Sequence, residues 1–139
     1  MLDETVRQEL LDQARQAREK AYAPYSNFQV GAAVLTAAGE VFTGGNIENA
    51  SLGATVCAER VAIFTAVAAG QRRFTALAVM ADTPEPVPPC GLCLQVLAEF
   101  SPDCAVLMAT TAGRWRLLPL KELLPFAFRL PSPKSGAGD

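Results

Sequence analysis

The sequence predicts an α/β protein, a three-layer αβα sandwich around a mixed sheet of about five strands. Three observations lead there. Helical and strand-like stretches alternate along the chain, which suggests a sheet covered on both faces. The first helical stretch is apolar on one side, whereas the helix that starts at Cys57 is apolar nearly all round in its middle, Val61-Ala62-Ile63-Phe64. The stretch Phe74–Met80 is a short continuous apolar run of the kind that sits inside a sheet.

Residues from about Asp3 to Tyr22 read as an amphipathic helix, because Val6, Leu10, Leu11, Ala14, Ala17 and Ala21 recur at steps of three and four. Pro24 ends it, and its polar face reads as solvated surface. Pro24-Tyr25-Ser26-Asn27 is a turn into a strand, Phe28–Leu35, and Thr36–Gly39 turns the chain into a second strand, Glu40–Thr43, so the pair forms a hairpin. Gly44–Ser51 then reads as a polar loop which, taken alone, is ordinary solvated turn chemistry. Cys57–Ala69 is a helix closed by Gly70. After the Phe74–Met80 strand comes a stiff loop, Asp82–Pro89, in which Pro84, Pro86, Pro88 and Pro89 forbid helix. A second short helix runs from Cys90 or Gly91 to Phe100 and is ended by Pro102. Cys104–Ala109 and Arg114–Leu118 are strands across the Thr111-Ala112-Gly113 turn, and Leu120–Leu124 is a last helical turn. The expected organisation is one domain over residues 1–131 and a frayed Pro/Gly/Ser tail over 132–139, with no internal repeat.

Composition narrows the function classes. The 139 residues are half hydrophobic, enough to bury one respectable core. A net charge of −2, from 12 basic and 14 acidic residues, provides no basic stripe, so neither nucleic acid nor a membrane surface is an expected partner. No early stretch resembles a secretory leader and none is long and apolar enough to span a bilayer, so a cytoplasmic location is expected. The absence of histidine removes Ser-His-Asp triads, Cys-His nucleophile pairs and HExxH zinc sites together. A hydrolytic site in this chain must be built from cysteines and carboxylates, with or without a metal.

The chemistry concentrates in Cys57-Ala58-Glu59 and Pro89-Cys90-Gly91-Leu92-Cys93. Three thiolates suit zinc, and a catalytic zinc site commonly uses three protein ligands and keeps a fourth position open. Each of these thiols lies at or near a helix start, where amide N–H groups and the positive helix end favour the thiolate. Arg60 is the one fixed positive charge that sequence places beside the centre, and it can offset the excess negative charge. A bare C-x-x-C is weak evidence, shared by redox pairs and structural zinc knuckles. A redox pair explains neither Cys57 nor Glu59, and a closed structural zinc needs Cys104 as fourth ligand, although Cys104 opens an apolar run and reads as a small buried hydrophobe. The open three-cysteine site is the preferred reading, with a closed zinc and inert core thiols as the alternatives. Glu59 could be a first-turn acid favoured by the helix dipole alone, but two residues from a zinc thiolate it becomes a natural proton carrier.

The combined motifs resemble the short, homotetrameric cytidine deaminases. The resemblance runs from Tyr22-Ala23-Pro24-Tyr25-Ser26-Asn27-Phe28-Gln29-Val30-Gly31-Ala32 through Asn46-Ile47-Glu48-Asn49-Ala50 and Cys57-Ala58-Glu59-Arg60 to Pro89-Cys90-Gly91-Leu92-Cys93 and Gln95-Val96. It implies one zinc ion per subunit on Cys57, Cys90 and Cys93, with Glu59 shuttling protons. It also implies that Phe28, Asn46 and Glu48 receive the nucleoside, the last two through its ribose, and that Phe128, or else Phe126, reaches a neighbouring subunit's pocket. The implied reaction is hydrolytic deamination of cytidine and 2′-deoxycytidine to the uridine products and ammonia, in pyrimidine salvage. A deaminase of a related cytosine-containing compound, such as an aminoacyl-nucleoside antibiotic, and a non-catalytic zinc-stabilised binding module are the other two readings. Two positions depart from the family: Leu94 stands where an arginine commonly follows the last ligand, and Leu52 where an aromatic residue is frequent. The first departure shifts charge compensation onto Arg60.

Overall fold

The computed structural model describes residues 2–131, and the tail expected at 132–139 lies outside them. Helix α1 spans Glu4–Arg18, started by Asp3, whose carboxylate accepts the Val6 N–H at 2.8 Å. Leu10, Leu11, Ala14 and Ala17 form its buried stripe. The helix stops at Arg18 instead of continuing to Tyr22. Tyr22 N–H donates to the Asn46 carbonyl and the Tyr22 carbonyl accepts from Glu48 N–H, both at 2.8 Å, so this backbone is satisfied by a strand-like bridge to Ile47.

Five strands follow: β1 Val30–Thr36, β2 Val41–Gly45, β3 Phe74–Ala81, β4 Ala105–Thr110 and β5 Trp115–Pro119. They form one sheet in the order β2-β1-β3-β4-β5, in which β3 and β4 are parallel and the other neighbours antiparallel. The parallel pair requires a crossover, and α3, Gly91–Phe100, provides it. Helix α2 spans Ala58–Ala68, and Gly70, at φ 92°, turns the chain out of it as expected. A single turn, α4 Leu120–Leu123, follows β5.

Side chains alternate strictly between two cores. Ala33, Ala76, Ala78, Met80, Leu107 and Ala109 pack under α1 with Leu10, Leu11 and Ala14. Ala32, Val34, Leu77, Val79, Val106 and Met108 pack under α2 and α3 with Ala62, Ile63, Leu94 and Leu97. Burial on both faces is why β3 and β4 read as unbroken apolar runs. Gly44 and Gly45, expected in a loop, belong to β2. A Cβ at Gly45 would lie 2.8 Å from the Ala17 carbonyl oxygen, and one at Gly31 only 2.0 Å from that of Ala14, so these glycines let α1 approach the sheet closely.

Candidate metal centre and adjoining pocket

Cys57 caps the start of α2, Cys90 caps the start of α3, and Cys93 follows in the first turn of α3. None of these caps uses its side chain to bond its own helix, so the thiols are free to face one another. Cys57 Sγ and Cys90 Sγ are 3.7 Å apart, and Cys90 Sγ and Cys93 Sγ 3.5 Å apart. All three sulfurs lie within 4.8 Å of one another, and they are the only such metal-ligating group among the described residues. A tetrahedral zinc with bonds of about 2.3 Å holds its sulfurs roughly 3.8 Å apart, so the donor set fits that ion in both chemistry and spacing. Cys104 is elsewhere, 1% exposed in the core under α2 and α3, where burial pushes its thiol up to about 12. It cannot close the site as a fourth ligand.

The electrostatics favour a thiolate at Cys57. Its thiol is drawn down to about 5, chiefly by the neighbouring Cys93 thiol, with further help from Arg60 and against the cost of burial. Cys93 is held above the ordinary thiol range by the proximity of Cys57 and by burial. Arg60 Nη2 donates to Cys57 Sγ at 3.6 Å. Arg60 Nε is buried and has no hydrogen-bond partner among the described residues, so the guanidinium's stake here is its charge toward the sulfurs. Leu94 is 6% exposed within the apolar core and offers nothing to this balance. Glu59 is 5% exposed, and burial, reinforced by the charge of Cys57, pushes its carboxyl up to about 7. A carboxyl titrating near neutrality can both take and give a proton.

A cavity of about 260 Å³ adjoins the centre, and Cys57, Glu59, Phe28, Asn46 and Glu48 all line it. Residues far apart in sequence thus share one small, largely apolar cleft with convergent polar groups. Asn46 is nearly buried, and its amide is engaged on both edges: Nδ2 donates to the Phe28 carbonyl and Oδ1 accepts from Val30 N–H, each at 2.9 Å. Glu48 accepts N–H bonds from Tyr25 at 2.9 Å and Ser26 at 3.1 Å, and a hydroxyl bond from Ser26 that holds its carboxyl below the usual range.

The sequence reading missed Ser26, Val87 and Pro88, which also line the cleft. In sequence Ser26 is a turn residue inside the stretch that carries the family resemblance, with no role of its own, and the other two belong to a stiff loop; nothing in their own types announces a pocket wall. Phe128 is not brought into this chain's cleft. It is 67% exposed, and its backbone is gripped by the Gln95 side chain, which donates to the Phe128 carbonyl at 2.8 Å and accepts its N–H at 3.1 Å. Leu52, in a short 3-10 turn at Leu52–Ala54, is 76% exposed and lies outside the cleft.

Comparison with known proteins places these features in a family. Residues 4–109 match the family described as the cytidine and deoxycytidylate deaminase zinc-binding region. A cytidine deaminase of Halalkalibacterium halodurans is 54% identical over 88% of this chain and 93% of its own length. The crystal structure of cytidine deaminase from Burkholderia pseudomallei superposes with a TM-score of 0.85 at 50% identity, covering 87% of this chain and 98% of that one. A blasticidin-S deaminase of Bacillus cereus is a more distant relative, 33% identical over 88% of this chain and 94% of its own length.

Proposed function

This chain belongs to the cytidine and deoxycytidylate deaminase family, and on that premise we propose that it hydrolyses cytidine and 2′-deoxycytidine to uridine and 2′-deoxyuridine with release of ammonia. The observation that carries the reading is one cleft lined by a carboxyl tuned near neutrality, an aromatic ring and two further polar side chains, and adjoining, through Cys57, a three-thiol group that fits zinc. Zinc is the cofactor, and when bound by Cys57, Cys90 and Cys93 it supplies Lewis-acid activation of the attacking water.

The chain's own residues carry the rest. Glu59 receives a proton from the water as its oxygen attacks C4 of the pyrimidine, and passes that proton to ring N3. The hydroxyl proton of the resulting tetrahedral carbon then moves through the same carboxylate to the amino group, which leaves as ammonia while the C4 carbonyl forms. Burial of Glu59 makes one group adequate as both base and acid. Phe28 offers a ring face to the base, and Glu48, an acceptor held in its anionic form, takes a ribose hydroxyl. The second N–H and second lone pair of the Asn46 amide serve the same sugar.

The finer expectations belong to this proposal: a single domain over residues 1–131, action in pyrimidine salvage in the cytoplasm, and a homotetramer in which Phe128 completes a neighbour's pocket. Exposure of Phe126, Phe128 and Leu130 supports the last of these. Among the described residues, no helix is long and apolar enough to cross a membrane. The ultraviolet change of cytidine, followed beside that of an aminoacyl-cytosine antibiotic, tests the substrate. Higher kcat/KM on cytidine is expected, and turnover of the antibiotic alone would transfer the chain to the other branch of the family.

A further inference from the structure

The turn before β1 holds two walls of the cleft with one hydroxyl. Ser26 Oγ donates its single proton to Glu48 Oε2 and accepts the N–H of Phe28 at 3.0 Å. The other carboxylate oxygen, Oε1, receives the backbone N–H groups of Tyr25 at 2.9 Å and Ser26 at 3.1 Å. Asn27 sits at φ 58°, the one non-glycine residue with positive φ among those described, and this reversal brings Phe28 back beneath the Ser26 hydroxyl. The Phe28 carbonyl is meanwhile fixed by Asn46 Nδ2 at 2.9 Å.

A carboxylate offers about four acceptor positions, and three of those on Glu48 are filled by its own chain. The remaining position has its direction set chiefly by Ser26, because among the described residues only Ser26 binds Oε2. We propose that Ser26 is a positioning residue: its hydroxyl locks the carboxylate of Glu48 and the backbone of Phe28 in one arrangement, so that sugar and base are received together. The proposal rests on the reading of Glu48 as the sugar's acceptor. Preorganisation of this kind acts on binding, because a carboxylate already fixed loses little freedom when substrate arrives. Proton transfer at Glu59 does not involve Ser26, so turnover of bound substrate is left alone.

A double-mutant cycle on zinc-loaded protein tests this, with KM and kcat for cytidine, melting temperature and zinc content measured on every variant. Ser26→Ala is expected to raise KM about tenfold, the scale of one hydrogen bond to a charged group, with kcat changed less than about twofold. In a Glu48→Gln background the same substitution is expected to add less than about twofold, because the carboxylate it positions is gone. Ser26→Thr, which keeps the hydroxyl at an exposed position, is expected to recover most of the parental KM. An equal KM increase from Ser26→Ala in both backgrounds, or a threonine variant as impaired as the alanine one, would overturn the positioning role. If Glu48→Gln alone leaves KM unchanged, the sugar reading itself fails. Should the alanine variant prove too unstable to assay, Ser26→Gly, which also removes the hydroxyl, takes its place in both backgrounds with the same expected and overturning results.

Discussion

Cys57 is drawn toward its thiolate by its neighbours, chiefly Cys93, and the one fixed cation among them is Arg60. Three thiolates bring more negative charge than one zinc ion cancels, and such a centre makes activated water harder to form. Helix starts offset part of this. Arg60 Nη2, 3.6 Å from Cys57 Sγ, is the fixed cation that offsets more, since the residue after the last ligand, Leu94, is buried among apolar side chains. Arg60→Ala is therefore expected to weaken zinc binding by about 10- to 100-fold, as measured by competition with a chelating dye, and to lower kcat. Unchanged zinc affinity and turnover would mean that the helix ends suffice. The sequence shows Arg60 beside the motif, but not that its Nε is buried without a partner among the described residues, which depends on how α2 packs.

At the scale of elements, the site is the meeting of two helix starts. Cys57 at the start of α2 and Cys90 and Cys93 at the start of α3 come together because both helices cover the same face of the sheet, while Cys104 lies within the core beneath them. A thiol-labelling experiment reads this directly. Zinc-loaded protein is expected to resist alkylation, chelated but folded protein to expose the three clustered thiols, and Cys104, whose thiol is pushed up to about 12 by burial, to react only on unfolding. Labelling of Cys104 in the folded protein would contradict the packing described. The centre of the sheet is readable from sequence because β1, β3 and β4 are buried on both faces. The end of α1 was not, because the bridge from Tyr22 to Ile47 replaces helix bonds with partners distant in sequence. Gly44 and Gly45 looked like a loop for a related reason: their missing side chains make room for helices that the local sequence does not reveal. Ser26 stayed hidden because its partner, Glu48, lies 22 positions away.

At the scale of the whole molecule, the three clustered thiols, Glu59 and the residues proposed to face the substrate come from four separated stretches that a single five-stranded sheet brings to one cleft and the thiol group adjoining it. That cleft is completed, in the proposed assembly, by Phe128 of a second copy, which Gln95 holds outward in this one. Light scattering with activity followed on dilution is expected to show an oligomer that loses kcat/KM as it dissociates; a fully active monomer would refute the shared pocket. The deaminase assignment itself depends on Glu59, the buried carboxyl beside the thiols. The most direct test is therefore turnover of cytidine by Glu59→Gln protein beside the parent, with zinc determined on the same samples. Retained zinc with kcat lowered by at least about 100-fold is expected. Retained zinc with near-parental turnover would contradict Glu59 as the proton carrier, and with it the mechanism.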